Sequence, residues 1–174
     1  MSNSEIKRKL NAIRDGNNVA FEELYNDLKT PIYTIIFRIT WDKSTSEDVM
    51  QEVFLKLYQS PLESRIKNLR AYIFQMARNL AIDSMRKQHT EISLDEVADT
   101  AHQPLDVYSL RMDIEDALRT LPSQECQIVT LHVIGGLKFR EISEIMKIPL
   151  GTAFGKYQKA INSLKKIIVG GESI

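Results

Sequence analysis

Apolar residues recur at three- and four-residue intervals along most of this chain, and no stretch alternates with period two for more than a few residues. The pattern predicts an all-α protein. Ile6–Arg14 forms a first helix, stopped by Asp15-Gly16-Asn17-Asn18. Val19–Leu28 forms a second, and Pro31, tolerated at a helix start, opens a third through Ile32–Thr40. After the turn Trp41-Asp42-Lys43, a fourth helix starts at Ser44, with Glu47 at capping-box spacing, and runs to Tyr58. Ser60-Pro61-Leu62-Glu63-Ser64 is a loop, and Asn68 then caps a long helix through Lys87. Four more follow at Arg111–Thr120, Ser123–Val133, Lys138–Met146 and Gly151–Ile168. Ser123 reads as an N-cap and Gly135-Gly136 as a stop. The last two helices are joined by Lys147-Ile148-Pro149-Leu150, a turn of helix-turn-helix length.

Between His89 and about Tyr108 the periodicity fails, and the segment is polar, acidic and broken by Pro104. It reads as an extended linker of about 20 residues, able to separate its ends by roughly 65–70 Å. The expected organisation is two small helical domains, 1–88 and 111–174, joined by an acidic flexible linker at 89–110.

Composition narrows the function classes. The 174 residues are 43% apolar and 26% charged, which is globular rather than disordered. The residues just after Met1 contain no apolar run like that of a secretory signal, and no segment approaches the ~18–20 apolar residues of a membrane span. A soluble, cytoplasmic protein without membrane insertion is expected. Cys126, flanked by apolar-periodic positions, reads as a small buried hydrophobe. His89, His102 and His132 lack partners at metal-ligand spacing, so neither a metal nor a cofactor is expected. The net charge of zero hides an asymmetry: residues 1–87 hold 14 Lys and Arg against 11 Asp and Glu, residues 88–112 hold 1 against 5, and residues 113–174 hold 8 against 7. Two faintly basic modules thus flank an acidic connector.

Three helix faces carry candidate chemistry. On the helix starting at Ser44, Val49, Met50, Val53, Phe54, Leu57 and Tyr58 fall on one side, and Asp48, Gln51, Glu52, Leu55 and Lys56 on the other. The second set is a compact acidic stripe with an apolar centre, or else a solvated face with one stray Leu. Asp48 and Glu52, at i and i+4, could also bind Mg²⁺, but no further clustered carboxylate supports a metal-dependent enzyme. On the helix after Asn68 the core side is Ile73, Ala77, Leu80, Ala81 and Ser84, opposite Tyr72, Gln75, Asn79, Asp83 and Arg86. Aromatic, amide and guanidinium groups in one stripe suit base stacking and base-edge hydrogen bonds. Arg70, Arg78 and Lys87 around it suit phosphates. On the last helix Ala153, Tyr157, Ala160, Leu164 and Ile168 form the inner stripe, with Thr152, Phe154, Gly155, Gln158, Lys159 and Asn162 outward. A recognition helix would present the N-terminal part of that outer face to a major groove.

The run Glu47-Asp48-Val49-Met50-Gln51-Glu52-Val53-Phe54-Leu55 resembles the helix with which bacterial sigma factors grip the clamp coiled coil of core RNA polymerase. The likeness is strongest to the extracytoplasmic-function (ECF) subfamily. Asn68 through Asp83 resembles the sigma-factor helix that reads and melts the −10 element, and Ser60–Lys67 the loop that captures a flipped base. Leu121-Pro122-Ser123, Phe139-Arg140-Glu141-Ile142 and Ile148-Pro149-Leu150-Gly151-Thr152 resemble the domain that reads the −35 element. One departure stands out: Ala153-Phe154-Gly155 occupies the place where the family usually carries more basic residues.

The resemblance implies a non-enzymatic sigma factor. It would bind core polymerase at the clamp coiled coil and flap, with Asp48, Gln51, Glu52 and Leu55 on the clamp. Tyr72, Gln75, Asn79, Asp83, Arg86 and Lys87 would meet −10 DNA, and Arg140, Thr152, Phe154, Gly155, Lys156, Gln158 and Lys159 would meet −35 DNA. Promoter DNA, core polymerase and an anti-sigma protein are the implied partners. Two alternatives stay open: a helix-turn-helix regulator acting without polymerase, and a polymerase-binding decoy that has lost −35 reading.

Overall fold

A computed structural model of the chain describes residues 1–59, 66–92 and 109–170, which fold into eight α-helices with no strand among them. They are α1 (Asn3–Arg14), α2 (Asn18–Thr40), α3 (Lys43–Gln59), α4 (Leu69–Ile92), α5 (Ser109–Arg119), α6 (Ser123–Val133), α7 (Phe139–Met146) and α8 (Leu150–Gly170). The loop expected at Ser60–Ser64 and most of the expected linker lie outside the described residues. At its edges that linker is shorter than expected, because α4 continues to Ile92 and α5 already starts at Ser109.

Several boundaries differ from the sequence expectation, each for a local reason. α1 begins at Asn3 because Ser2 and Glu5 form a reciprocal capping box, the Ser2 hydroxyl accepting from the Glu5 amide and the Glu5 carboxylate from the Ser2 amide. The two helices expected on either side of Pro31 are one, α2. A proline inside a helix loses a hydrogen bond and costs ~3 kcal/mol. Here Leu24, Leu28, Ile32, Ile35 and Ile36 form one continuous buried stripe across it, and that burial outweighs the loss. The N-cap of α3 is Asp42 rather than Ser44: its carboxylate accepts from the Thr45 amide at 3.1 Å. Ser123 is not a cap either; it is the first residue of α6, and its hydroxyl accepts from the Gln127 side-chain amide at 3.0 Å. Asn68 does cap α4, accepting from the Ala71 amide at 3.0 Å.

The turn between α7 and α8 is a Schellman arrangement. Lys147 sits in the left-handed region at φ 54°, the Ile148 amide donates to the Ser143 carbonyl, and the Lys147 amide to Glu144. At the end of α6 the stop needs glycine twice. Gly136 has φ +64°, and a Cβ on Gly135 would lie 2.4 Å from the Leu131 carbonyl oxygen.

The buried residues of α1–α4 form one apolar cluster, with Ile6, Leu24, Ile32, Ile36, Ile73 and Phe74 inaccessible to solvent. That cluster does not end with α4. Ile128, Leu131, Leu137, Ile142, Ile145 and Met146 of α6, α7 and their connection belong to it. A smaller cluster of Leu121, Cys126, Val129 and Ala160 lies under α8, with Trp41, Leu118, Tyr157, Ile161 and Leu164 against it. The N- and C-terminal helices are therefore packed together, α6 lying along α2. Cys126 is a free, buried thiol, and burial pushes its pKa up.

Candidate functional site

On α3, Val49, Val53, Phe54 and Leu57 face the core, while Asp48, Gln51, Glu52 and Lys56 are exposed and Leu55 is 53% exposed. Tyr58 departs from the expectation. It is 52% exposed, although its ring makes an edge contact with Phe21 at 5.2 Å between centroids. Glu52 pairs with Lys56 one turn on at 3.4 Å, an exposed contact of the kind worth only a few tenths of a kcal/mol. The stripe is thus a polar surface around one apolar side chain, and little within the protein holds it in place. Among the described residues no group of three or more His, Cys, Asp or Glu side chains could hold a metal ion, so Asp48 and Glu52 have no third ligand there.

α4 turns Leu69, Ile73, Phe74, Ala77 and Ala81 inward. Asn79, Asp83, Arg86 and Lys87 are exposed, Tyr72 is at the edge of exposure and Gln75 is half-buried. Arg86 lies 4.0 Å from Asp83, one turn away. Leu80 and Ser84, expected in the core, are only half-buried, Leu80 packing against the edge of the core, while Phe74 is fully buried.

The flank of this helix holds the main surprise. Arg70 and Arg78, expected to be free for phosphates, are bound within the protein. Arg70 Nε donates to the Gly135 carbonyl at 2.7 Å and Nη1 to the Met1 carbonyl at 2.9 Å. Arg78 Nε donates to the Gln127 side-chain oxygen at 2.8 Å, and burial lowers the pKa of its guanidinium. The side chain of Asn68 also donates to Glu141 of α7. The sequence carried no sign of these pairings, because they join residues 49 to 73 positions apart.

On α8, Ala153 and Ala160 are fully buried, Tyr157 and Leu164 half-buried, and Ile168 is 44% exposed rather than inner. Thr152, Gly155, Gln158 and Lys159 are exposed, as is Arg140 on α7, and Lys156 is half-buried. Phe154 is 48% exposed, with one ring edge on Phe139 at 5.3 Å. Its ring is therefore anchored yet still presents a face outward. Lys159 reaches back 3.2 Å to Glu125, a carboxylate only 3% exposed. A buried carboxylate needs a partner or a large solvation cost follows, so this pair fixes the Lys159 side chain. Sequence reasoning missed Glu125, which lies in the first turn of α6, where an acidic residue is common and gives no sign of burial.

The described residues form an all-helical protein whose last two helices form a helix-turn-helix and whose longest helix carries a second polar face. Comparison with known proteins agrees. The family model "Sigma-70 region 2" matches residues 24–91, and "Sigma-70, region 4" matches residues 111–164. The chain is 27% identical to the ECF RNA polymerase sigma factor SigW of Bacillus subtilis, covering 92% of this chain and 95% of that one. It is 23% identical to SigK of Mycobacterium tuberculosis, covering 95% and 94%. In fold it is similar to the sigma factor RpoE of Bartonella quintana, solved with the anti-sigma factor NepR (TM-score 0.66, 21% identity, 84% and 97% covered). It is similar also to CnrH, solved with the cytosolic domain of CnrY (TM-score 0.67, 16% identity, 97% and 99% covered). The chain belongs to the sigma-70 family of RNA polymerase sigma factors, in its ECF group. As such it binds core RNA polymerase and directs promoter recognition and transcription initiation. Among the described residues no helix is long and apolar enough to cross a membrane.

Proposed function

We propose that the three exposed faces divide the work of initiation. The stripe Asp48, Gln51, Glu52 and Leu55 binds the clamp coiled coil of core polymerase, its apolar centre docking while the carboxylates and amide fix the register. Tyr72, Gln75, Asn79, Asp83, Arg86 and Lys87 hold the −10 element, with Tyr72 stacking on an unpaired base and Asn79 hydrogen-bonding to a base edge. Arg140, Thr152, Phe154, Gly155, Lys156, Gln158 and Lys159 meet the −35 element. There Arg140 and Lys156 contact phosphates, and the outer face of Phe154 packs on thymine methyl groups. The domain division follows the same roles: 1–88 for polymerase and −10 DNA, 111–174 for −35 DNA, with 89–110 between them. No residue is assigned to catalysis, and the protein acts in the cytoplasm. An anti-sigma protein covering one or both domains fits the similarity to RpoE of Bartonella quintana, which was solved in complex with an anti-sigma factor.

One observation carries this reading. Most side chains of the three polar faces stand exposed on helices whose opposite sides carry the core, which leaves them accessible to partners; Lys159 on Glu125 and the Phe154 ring on Phe139 are also held within the protein. The test is transcription from a random promoter library by core polymerase with and without the purified chain. Discrete start sites that need the chain are expected. Start sites independent of it would overturn the reading, as would duplex binding that is equally strong without polymerase.

A further inference from the structure

We propose that His132 and Phe139 are positioning residues for −35 recognition. Together with Tyr157 they hold the Phe154 ring in one orientation on the outer face of α8, where it reads thymine methyl groups. This role rests on the assignment above of Phe154 to −35 DNA.

Four aromatic rings meet where α6, α7 and α8 converge. His132, in the last turn of α6, stacks on Phe139, the first residue of α7, with centroids 4.5 Å apart and an interplanar angle of 20°. Tyr157 of α8 lies against both rings, 5.0 Å from His132 at 77° and 5.1 Å from Phe139 at 65°. Phe154, one turn earlier on α8, stands at 89° to Phe139 with centroids 5.3 Å apart. Stacked and edge-to-face arrangements of this kind attract through the ring quadrupoles and so favour particular orientations. The base of the stack is itself fixed. The Leu137 carbonyl, which can only accept, takes a hydrogen bond from His132 Nδ1 at 2.8 Å, and the Leu137 amide donates to the Leu131 carbonyl at 3.1 Å. Thus α6 holds both backbone groups of buried Leu137, two residues before Phe139. His132 supplies a flat ring and a donor at once. Phenylalanine there would stack without the bond, and asparagine would bond without the stack.

The outer end of the stack shows what it serves. His132 and Phe139 are half-buried, whereas Phe154 is 48% exposed. Gly151, three residues before Phe154, and Gly155, directly after it, have open space where a Cβ would sit. The ring is therefore a knob beside bare backbone, accessible to a groove. An aromatic side chain free on a helix surface exchanges between rotamers, and ordering it on binding costs affinity. Here the ordering is done inside the protein before DNA arrives. Charge points the same way. Among residues 150–159 only Lys156 and Lys159 are cations, and Lys159 is held by Glu125. With few phosphate contacts on this helix, recognition depends on uncharged contact with base edges, and a preset ring suits a thymine methyl.

The test measures one ratio. Core polymerase assembled with the full chain is titrated with a promoter recovered from the random library. The −35 element carries thymine in one duplex and deoxyuridine in the other, which removes the methyl groups alone. Burying one methyl group is worth about fourfold in affinity, so the unmodified chain should prefer thymine by about that factor for each contacted base. Phe154→Ala should abolish the preference. Phe139→Leu, which keeps apolar volume, and His132→Ala should each reduce it to less than about twofold. His132→Phe, which restores a ring to stack on Phe139, should recover more of it than His132→Ala leaves. Lys156→Ala should weaken both duplexes equally and keep the preference. Partial unfolding scales both affinities alike, so the ratio separates positioning from stability. A preference lost in Phe154→Ala but intact in folded Phe139→Leu and His132→Ala would overturn the positioning role and leave the −35 assignment standing. No preference in the unmodified chain would overturn the assignment of Phe154 itself, and the positioning role with it.

Discussion

α4 and α8 are both amphipathic helices with amide, aromatic and basic side chains outward, yet the protein treats their cations differently. Two arginines on the flank of α4 are taken up by carbonyl and amide oxygens of the other domain. On the leading turns of α8, Lys156 is half-buried and Lys159 is exposed but held by Glu125. The difference lies in the neighbours. α4 packs against α1, α2, α3 and α7, whereas α8 packs on α5, α6 and α7. A polar stripe therefore marks where apolar packing is absent, and says nothing by itself about whether a polar partner is already present.

The widest contrast is within α4 itself, between its two sides. Phe74 is fully buried, so Phe74→Ala should cost ~3–5 kcal/mol and lower the melting temperature by on the order of 10 °C. Asn79→Ala with Arg86→Ala, on the exposed side, should stay within ~0.5 kcal/mol of the original stability. That double variant should assemble with core polymerase yet show no permanganate-reactive thymines at a duplex promoter, and a pre-melted template should partly restore transcription. Normal opening of the duplex by the double variant would remove α4 from −10 recognition.

Next in size is the one cation of α8 that is tied down. Lys159→Ala leaves Glu125, 3% exposed, without its partner, and should destabilise the fold by ~1–3 kcal/mol. Pairing it with Glu125→Gln should recover most of that stability, since a neutral amide tolerates burial better. Any loss of promoter affinity that survives in the double variant belongs to a phosphate contact, and the salt slope should then fall by about one phosphate. If affinity and slope both return to normal, Lys159 serves the fold and not the DNA.

α3 offers the control, a polar stripe with almost no internal partner. Asp48→Ala with Gln51→Ala should leave helicity and melting unchanged but weaken core polymerase binding at least tenfold, or ~1.4 kcal/mol, in a fluorescence titration. Unchanged affinity would show that an open acidic stripe with an exposed leucine is only a solvated face.

These contrasts also mark what the sequence could reveal. Helix existence was legible throughout, because burial of one face imposes the 3.6-residue period on every element. The cap of α4 at Asn68 was legible too, since a cap is a contact over three residues. Pro31 misled because propensity is local, whereas the stripe Leu24–Ile36 that overrides it is buried by α1, α3 and α4. The exposed faces at Asp48–Leu55 and Asn79–Arg86 could be read from period alone. Arg70, Arg78 and Trp41 could not, for each has a partner far away in the sequence: Gly135, Gln127 and Arg119.

The smallest expected effect concerns Gly155, where α8 departs from the basic pattern of its family. Its backbone is helical, and a Cβ built there would meet no atom within 4 Å, so nothing in the protein itself requires a glycine. Gly155→Ala should therefore raise stability by ~0.5–1 kcal/mol, the gain from removing an interior glycine, and the melting temperature by a few degrees. A glycine retained against that gain is explained if another backbone approaches it closely when bound, as a DNA strand would beside Thr152 and Phe154. The stabilised variant should then bind −35 duplex less well, while its −10 opening on a pre-docked template is unchanged. If binding is equal or better, the open surface at Gly155 is not where α8 meets DNA, and the reading face of that helix shifts toward Gln158 and Asn162.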